Sequence, residues 1–169
     1  MRSLLDHLSS YAGYHRDRHN IATHFVGIPM IVVGIMALLG RPQWNLAGVS
    51  LAPASAVALG MILFYFRLDR PYGAAMVLFV GACLWAGSAL ASSSTVVWLA
   101  AGLGLFVLGW VIQFVGHAFE GRKPAFVDDL LGLLVGPLFI VAEWGFALGW
   151  RRSLRDQIET IAGPTRVRR

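Results

Sequence analysis

The sequence predicts an all-α polytopic membrane protein, with an N-terminal amphipathic helix followed by four to five transmembrane or re-entrant helices. Of its 169 residues 57% are hydrophobic and 14% are charged, whereas an ordinary soluble domain carries about 25% charged residues. The chain also contains five apolar runs of 19 to 21 residues, and about 20 helical residues cross a hydrocarbon core. Glu143 is the only Asp, Glu, Lys or Arg inside these runs.

Each apolar run is predicted to be a helix, because backbone groups in lipid must satisfy their hydrogen bonds internally. The runs are Ile21–Leu39, Leu46–Phe66, Tyr72–Ala91, Thr95–Val115 and Leu130–Trp150. The expected domain organisation is one integral membrane domain over residues 1–169. It comprises an interfacial helix at 1–20, a helical bundle at 21–150 and a basic tail at 151–169. Within 1–20, a helical wheel places Leu4, Leu8, Tyr11 and His15 in one arc, which is typical of a helix lying on a membrane.

Composition also excludes several classes of function. A single cysteine, Cys83, excludes a disulfide framework and any cysteine-built metal cluster. The formal net charge is +5, but the basic residues are spread over connectors and termini. They are not expected to form the continuous basic surface that a nucleic-acid-binding protein presents. The expected partner is therefore membrane lipid and not nucleic acid.

Basic residues also predict the topology. The N-terminal segment holds three Arg, the tail holds six, and the four connectors hold Arg41, then Arg67 with Arg70, then none, then Arg122 with Lys123. The positive-inside rule places the N-terminal segment and the second and fourth connectors in the cytoplasm. A basic cytoplasmic tail then conflicts with five full spans. We expect residues 130–150 not to cross fully, which leaves both termini cytoplasmic in a bacterial inner membrane.

Four histidines are predicted to meet at one membrane boundary. His24 lies near the start of the first run and His117 follows the end of the fourth, while His15 and His19 come just before the first. Helical periodicity places Asn20, His24 and Gly27 on one face, and Trp110, Gln113, His117 and Glu120 on another. These spacings indicate polar stripes that point into the bundle.

Several imidazoles beside a carboxylate are typical of an Fe, Zn or Mn site. The predicted ligands are His15, His24 and His117, with His19 as a fourth candidate, and open positions around such an ion suit Fe(II) and oxygen chemistry. Asn20 and Gln113 are predicted to orient ligands rather than to bind metal. The alternative is that the histidines only form hydrogen bonds at the membrane boundary.

Two motifs resemble a known family signature. The first is Tyr14-His15, Asn20 and His24, followed by Gly27 and Pro29; the second is Gln113-Phe-Val-Gly-His117, Glu120, Pro124-Ala125 and Asp128. They resemble the 2-hydroxy fatty acid dioxygenase family of small membrane proteins, typified by an endoplasmic-reticulum enzyme of phytosphingosine breakdown. The resemblance extends from Leu4 to Trp150, and the second motif is the more specific.

The resemblance implies an Fe(II)-dependent enzyme that uses O2 to shorten a 2-hydroxy fatty acid by one carbon. It also implies essential histidines at His15, His24 and His117, whereas His19 departs from the family pattern. Glu120 is the expected catalytic carboxylate, and binding metal, orienting a histidine and shuttling a proton are all open roles for it. Two rival functions are a non-catalytic lipid-binding or transport protein and a structural membrane module. The sequence leaves oligomeric state, substrate chain length and pathway open.

Overall fold

The computed structural model describes residues 2–41, 43–46 and 48–167. Two of the six arginines of the predicted tail, Arg168 and Arg169, lie outside the described residues, as do single residues of the first connector and the second run. The elements are α1 (Leu4–Ala12), α2 (Arg18–Leu38), β1 (Trp44–Leu46), β2 (Val49–Leu51), α3 (Pro53–Leu68), α4 (Arg70–Ala91), α5 (Thr95–Glu120), a 3₁₀ turn (Ala125–Val127), α6 (Gly132–Ala147) and α7 (Arg152–Ala162). The predicted all-α membrane fold is confirmed.

Three helices, α2, α4 and α5, are long and apolar enough to cross a membrane by length and composition. The pair α6 and α7 passes the same criterion only when taken together, and it is bent by 119° at the break between the helices. Helix α3 is apolar but has 16 residues, fewer than the roughly 20 that a straight span needs. The described residues therefore hold three candidate spans, or four if the bent pair counts as one.

The structure corrects three predicted boundaries. The second apolar run is not one helix, because it begins in an antiparallel hairpin that pairs Trp44 with Leu51, and α3 starts at Pro53, where a missing N–H costs nothing. The N-terminal helix ends at Ala12 rather than near residue 20. Helix α5 continues to Glu120, five residues beyond the predicted end. Gly121 follows it at φ 64°, the left-handed conformation that commonly ends a helix.

The last apolar run forms α6, which contains Pro137 and ends at Ala147. Gly149 and Arg151 then adopt positive φ angles of 81° and 56°, and the chain turns sharply into α7. A sharp turn at this point is compatible with the expectation that residues 130–150 do not cross fully, which stays a prediction.

The chain divides into two compact units, Pro29–Trp110 and a second unit made of Met1–Ile28 with Val111–Arg169. In the first unit α3 packs along α4, and the side chains of Tyr65, Tyr72 and Met76 are fully buried. The assignment of the whole chain to one membrane domain stays a prediction.

The second unit carries the candidate site, and contacts between residues close in sequence stabilise the start of its N-terminal helix. Ser3 and Asp6 form a capping box at the start of α1, and the apolar face with Leu8 and Tyr11 is buried where α1 packs against α6 and α7. A turn over residues 13–17 leads to α2. The Asp17 carboxylate accepts the backbone N–H of His19 at 2.8 Å, which satisfies one of the free donors at a helix N-terminus.

The C-terminal segment supports this turn. The backbone N–H of Arg18 donates to the carbonyl of Arg166 at 2.9 Å, and the N–H of Arg166 donates to the carbonyl of Arg16 at 2.8 Å. The buried Arg16 guanidinium also donates to the carbonyl of Gly163 at 2.8 Å. The described part of the predicted basic tail therefore contains a helix and a strand-like contact, and it fixes the turn that carries His15.

Candidate metal centre

Three buried histidines meet inside the second unit. His15 lies in the 13–17 turn, His24 on α2 and His117 on α5, and one ligand nitrogen from each lies within 4.8 Å of the others. The ring centroids are separated by 4.4 Å for His15 and His24, 4.9 Å for His15 and His117, and 5.1 Å for His24 and His117. Each pair of rings is steeply inclined, at 67° to 81°. Three imidazoles from different segments thus converge on one point, as the sequence predicts.

The tautomers of His15 and His24 follow from their hydrogen bonds. The Nδ1 atom of His15 lies 2.7 Å from the carbonyl oxygen of Tyr11, and Nδ1 of His24 lies 2.8 Å from that of Asn20. A carbonyl only accepts, so both Nδ1 atoms carry the proton and both Nε2 atoms of the neutral rings present lone pairs. These two Nε2 atoms lie 3.0 Å apart. Facing lone pairs repel each other unless a proton or a metal ion lies between them.

His117 completes the donor set. Its Nδ1 atom is buried without a hydrogen-bond partner, although buried polar atoms are normally paired. One ring nitrogen of His117 also lies within 4.8 Å of the ligand nitrogens of His15 and His24, and three imidazole nitrogens this close together suit a borderline divalent ion such as Fe²⁺ or Zn²⁺. The three side chains present therefore fit a metal ion.

His15 is held by aromatic packing as well as by its backbone bond. The ring of Tyr11 stacks on it with centroids 4.1 Å apart and planes 6° from parallel, and Phe139 of α6 packs against it at 5.7 Å. Burial, and next the neighbouring His24, hold the pKa of His15 well below its usual value. A neutral imidazole is the form that binds a metal.

Glu120 is fully buried, and one of its carboxylate oxygens bonds to the turn that carries His15 and to α2. Its Oε2 atom accepts the backbone N–H of Arg16 at 2.9 Å, the backbone N–H of Asp17 at 2.7 Å and the amide Nδ2 of Asn20 at 3.2 Å. The carboxylate therefore ties the end of α5 to the turn that carries His15. Of the roles open to it, orienting a histidine is the one that these contacts favour.

Asn20 links the same elements. Its backbone carbonyl accepts from His24, while its Nδ2 donates to Glu120 and, at 3.3 Å, to the carbonyl of Tyr14. Gly116 makes this close approach of α2 and α5 possible. A Cβ there would lie 2.7 Å from the side-chain oxygen of Asn20 and would collide with the hydroxyl of Thr23.

The side chain of His19 lies apart from the other three histidines. Its side chain is 56% exposed, its Nδ1 lies 3.2 Å from the Asp17 carboxylate, and its ring packs near Phe119 at 5.3 Å. His19 precedes His24 by five residues on α2, and a separation of five turns a side chain to another face. The set of ligand candidates is therefore His15, His24 and His117, with His19 outside it.

Gln113 lies on the face of α5 that carries His117, and it is buried. Neither its amide nitrogen nor its amide oxygen has a hydrogen-bond partner. This holds for the part of the chain that the structure describes, and the predicted role of Gln113 in orienting a ligand stays a prediction.

Tyr11 is a further candidate for a functional residue. The sequence pattern predicts only that it lies on the apolar face of the N-terminal helix. Its position four residues before His15 is the available signal, because one helical turn brings its ring and carbonyl next to that imidazole. Tyr11 also lines a cavity of about 440 Å³, together with His7, Ser10, Tyr14, Asp128 and Gly132.

Comparison with known proteins identifies the family. The family model described as "2-hydroxy-palmitic acid dioxygenase Mpo1-like" matches residues 1–148. The chain belongs to the Mpo1-like family. All three histidines of the metal centre, and both motifs that carry them, lie within the matched residues of this Mpo1-like protein.

A curated relative supports the assignment. The chain is 33% identical over 159 residues to the 2-hydroxy-palmitic acid dioxygenase MPO1 of Saccharomyces cerevisiae, and the alignment covers 92% of this chain and 87% of the relative. The name of that relative describes a dioxygenase of a 2-hydroxy fatty acid. No solved structure gives a significant match to the chain.

Proposed function

We propose that this chain is an Fe(II)-dependent dioxygenase that oxidises 2-hydroxy fatty acids and shortens them by one carbon at the cytoplasmic boundary of the membrane. The observation that carries the proposal is the convergence of three buried histidines, two of them with tautomers fixed by hydrogen bonds, in a member of the Mpo1-like family. The name of the yeast relative supplies the substrate class.

In this proposal His15, His24 and His117 hold the iron. The carbonyls of Tyr11 and Asn20 keep the Nδ1 protons of two of these rings in place, so that their Nε2 atoms stay aimed at the centre. Three neutral imidazoles would be the ligands that this chain supplies to the ion. Bound Fe(II) would supply the redox chemistry toward oxygen.

The proposed reaction balances without another reductant. The acid R–CH(OH)–COOH and O2 give R–COOH, CO2 and water. The bond between carbons one and two breaks, carbon two becomes the new carboxyl group, and the substrate supplies all the electrons that O2 takes up. No nicotinamide or flavin site is required.

The surroundings of the site suit an amphiphilic substrate. Helix α5 carries exposed apolar side chains beside the buried face that holds His117; they are Val111, Phe114, Val115 and Phe119. These side chains let an acyl chain remain in hydrocarbon while its polar end reaches the histidines. Tyr11 and Phe139 pack against His15 and keep water from that imidazole.

The test is turnover by protein purified without oxygen in detergent and supplied with iron. Incubation with 2-hydroxypalmitic acid and O2 should give the acid one carbon shorter, with one O2 consumed per acid, as read by mass spectrometry and an oxygen electrode. A sample kept without oxygen is the control. A fully folded protein that binds no iron and makes no product would contradict the proposal and favour a lipid-binding or transport function.

A further inference from the structure

Gln113 is a buried amide without a partner beside the metal centre. Its side chain is 4% exposed, and both Nε2 and Oε1 lack any hydrogen bond in the described part of the chain. Burying an amide in this way costs free energy, and an unpaired buried polar group in a native protein calls for an explanation such as a catalytic role or a bound water or ion. Two further polar atoms of the same region, Nδ1 of His117 and Oδ1 of Asn20, are also buried without partners.

The contact between α2 and α5 indicates which turn of α2 lies nearest to Gln113. Near their contact Glu120 bonds to Asn20 at 3.2 Å, and Gly116 faces both Asn20 and Thr23. Residues that come earlier in α5 therefore lie next to residues that come later in α2, so the two helices are antiparallel here. Because Gln113 precedes Gly116 by three residues, we infer that it lies level with the turn of α2 that begins at His24. It also precedes His117 by one helical turn, a separation that brings side chains together.

We propose that Gln113 recognises the 2-hydroxyl group of the substrate through a hydrogen bond, an inference that rests on the proposed function. A carboxamide presents a donor and an acceptor side by side. A 2-hydroxy acid presents the complementary pair, with a hydroxyl that donates to Oε1 and a carboxylate that accepts from Nε2. An unsubstituted fatty acid has only the carboxylate and leaves Oε1 buried without a partner. Sites built in this way discriminate strongly against the analogue that lacks the hydroxyl.

The test compares binding of two acids without turnover. The Kd values of 2-hydroxypalmitic acid and palmitic acid are measured by equilibrium dialysis in detergent, without oxygen, for wild type and for Gln113→Leu. Leucine has a similar volume and no hydrogen-bonding atom. Gln157→Leu, an exposed glutamine of α7, is the matched control. Iron per protein is measured for every sample.

In wild type the 2-hydroxy acid should bind more tightly than palmitic acid. Gln113→Leu should reduce this preference about tenfold, the worth of a hydrogen bond of about 1.4 kcal/mol, by weakening binding of the hydroxy acid more than that of palmitic acid while iron content stays unchanged. Gln157→Leu should keep the preference of wild type. If Gln113→Leu fails to fold, Gln113→Met carries the same comparison.

An unchanged preference in a variant that retains iron would overturn the inference, and so would loss of iron, which would make Gln113 a support of the metal centre. A wild type with no preference for the hydroxy acid would overturn it as well. Failure of the proposed function is distinguishable, because it appears as absence of product when oxygen is admitted to wild type, whereas the binding comparison is made without oxygen.

Discussion

The Nε2 atoms of His15 and His24 lie 3.0 Å apart, and each ring donates from Nδ1 to the backbone carbonyl four residues earlier in the chain. The carbonyls come from Tyr11 and Asn20. Backbone groups are less easily lost to substitution than side chains are, so both imidazoles are oriented by groups that a substitution does not remove. The two lone pairs are therefore aimed at each other by the fold itself, and His117 adds the third nitrogen.

The stack of Tyr11 on His15 predicts a difference between two substitutions. Tyr11→Phe keeps the ring that lies 4.1 Å from the imidazole, and it should bind iron as wild type does. Tyr11→Leu removes an aromatic contact worth about 1 kcal/mol, and it should weaken iron binding about fivefold. Titration with Fe(II) under anaerobic conditions measures both. Equal weakening in the two variants would mean that the hydroxyl, and not the stack, matters.

The contacts of Glu120 predict that it positions the turn that carries His15 and does not shuttle a proton. Glu120→Ala leaves two buried backbone N–H groups without an acceptor, and it should destabilise the protein by about 3 kcal/mol and lower iron affinity. Glu120→Gln retains an acceptor oxygen, and it should recover most of the stability and iron content. Thermal unfolding, iron content and turnover are compared. A glutamine variant that is stable and fully loaded but inactive would instead indicate a proton shuttle.

Close packing at Gly116 predicts that a methyl group there separates α2 from α5. Gly116→Ala collides with Thr23, and relief of such overpacking typically costs about 1 to 3 kcal/mol. The histidines on the two helices should move apart, and iron content should fall. Gly104→Ala is the control on the same helix, because a Cβ there meets nothing within 4 Å. If both variants kept full iron, the close approach would not be needed for the metal centre.

The distribution of basic residues predicts the topology, and the single buried cysteine, Cys83, makes it testable. In a Cys83→Ser background, a cysteine at Ser92 should react with a membrane-impermeant maleimide in intact cells. A cysteine at Val167 should react only after the cells are opened, because the basic C-terminal segment is expected in the cytoplasm. Labelling of Val167→Cys in intact cells would mean that residues 130–150 cross the membrane.

The length of the apolar runs predicts most of the long helices, since α2, α4 and α5 each coincide with one predicted run. It does not predict where α3 begins, because a hairpin and a helix at the membrane boundary can both be apolar, and the choice depends on Gly48 and Pro53. It also does not predict that α5 extends to Glu120. The added residues are stabilised by hydrogen bonds to the turn over residues 13–17, which no local pattern contains.

Helical spacing predicts the faces of His24 and His117, because each lies on a regular helix. His15 is predicted on the wrong element: it lies in a turn after α1, and its placement depends on the distant Glu120 and on Phe139 of α6. Spacing predicts only in part that His19 lies apart from the ligands. A five-residue separation from His24 indicates a different face, but the bond from His19 to Asp17 becomes visible only in three dimensions.

The central claim is that His15, His24 and His117 hold one iron ion, and iron per protein after anaerobic purification tests it most directly. Wild type should contain one iron per chain. His24→Ala and His117→Ala should each contain almost none while still inserting into membranes, because a methyl group supplies no metal bond and the helices do not depend on it. His19→Ala, the matched control, should keep its iron. If His24→Ala and His117→Ala both kept full iron and full turnover, the three histidines would not form the metal centre.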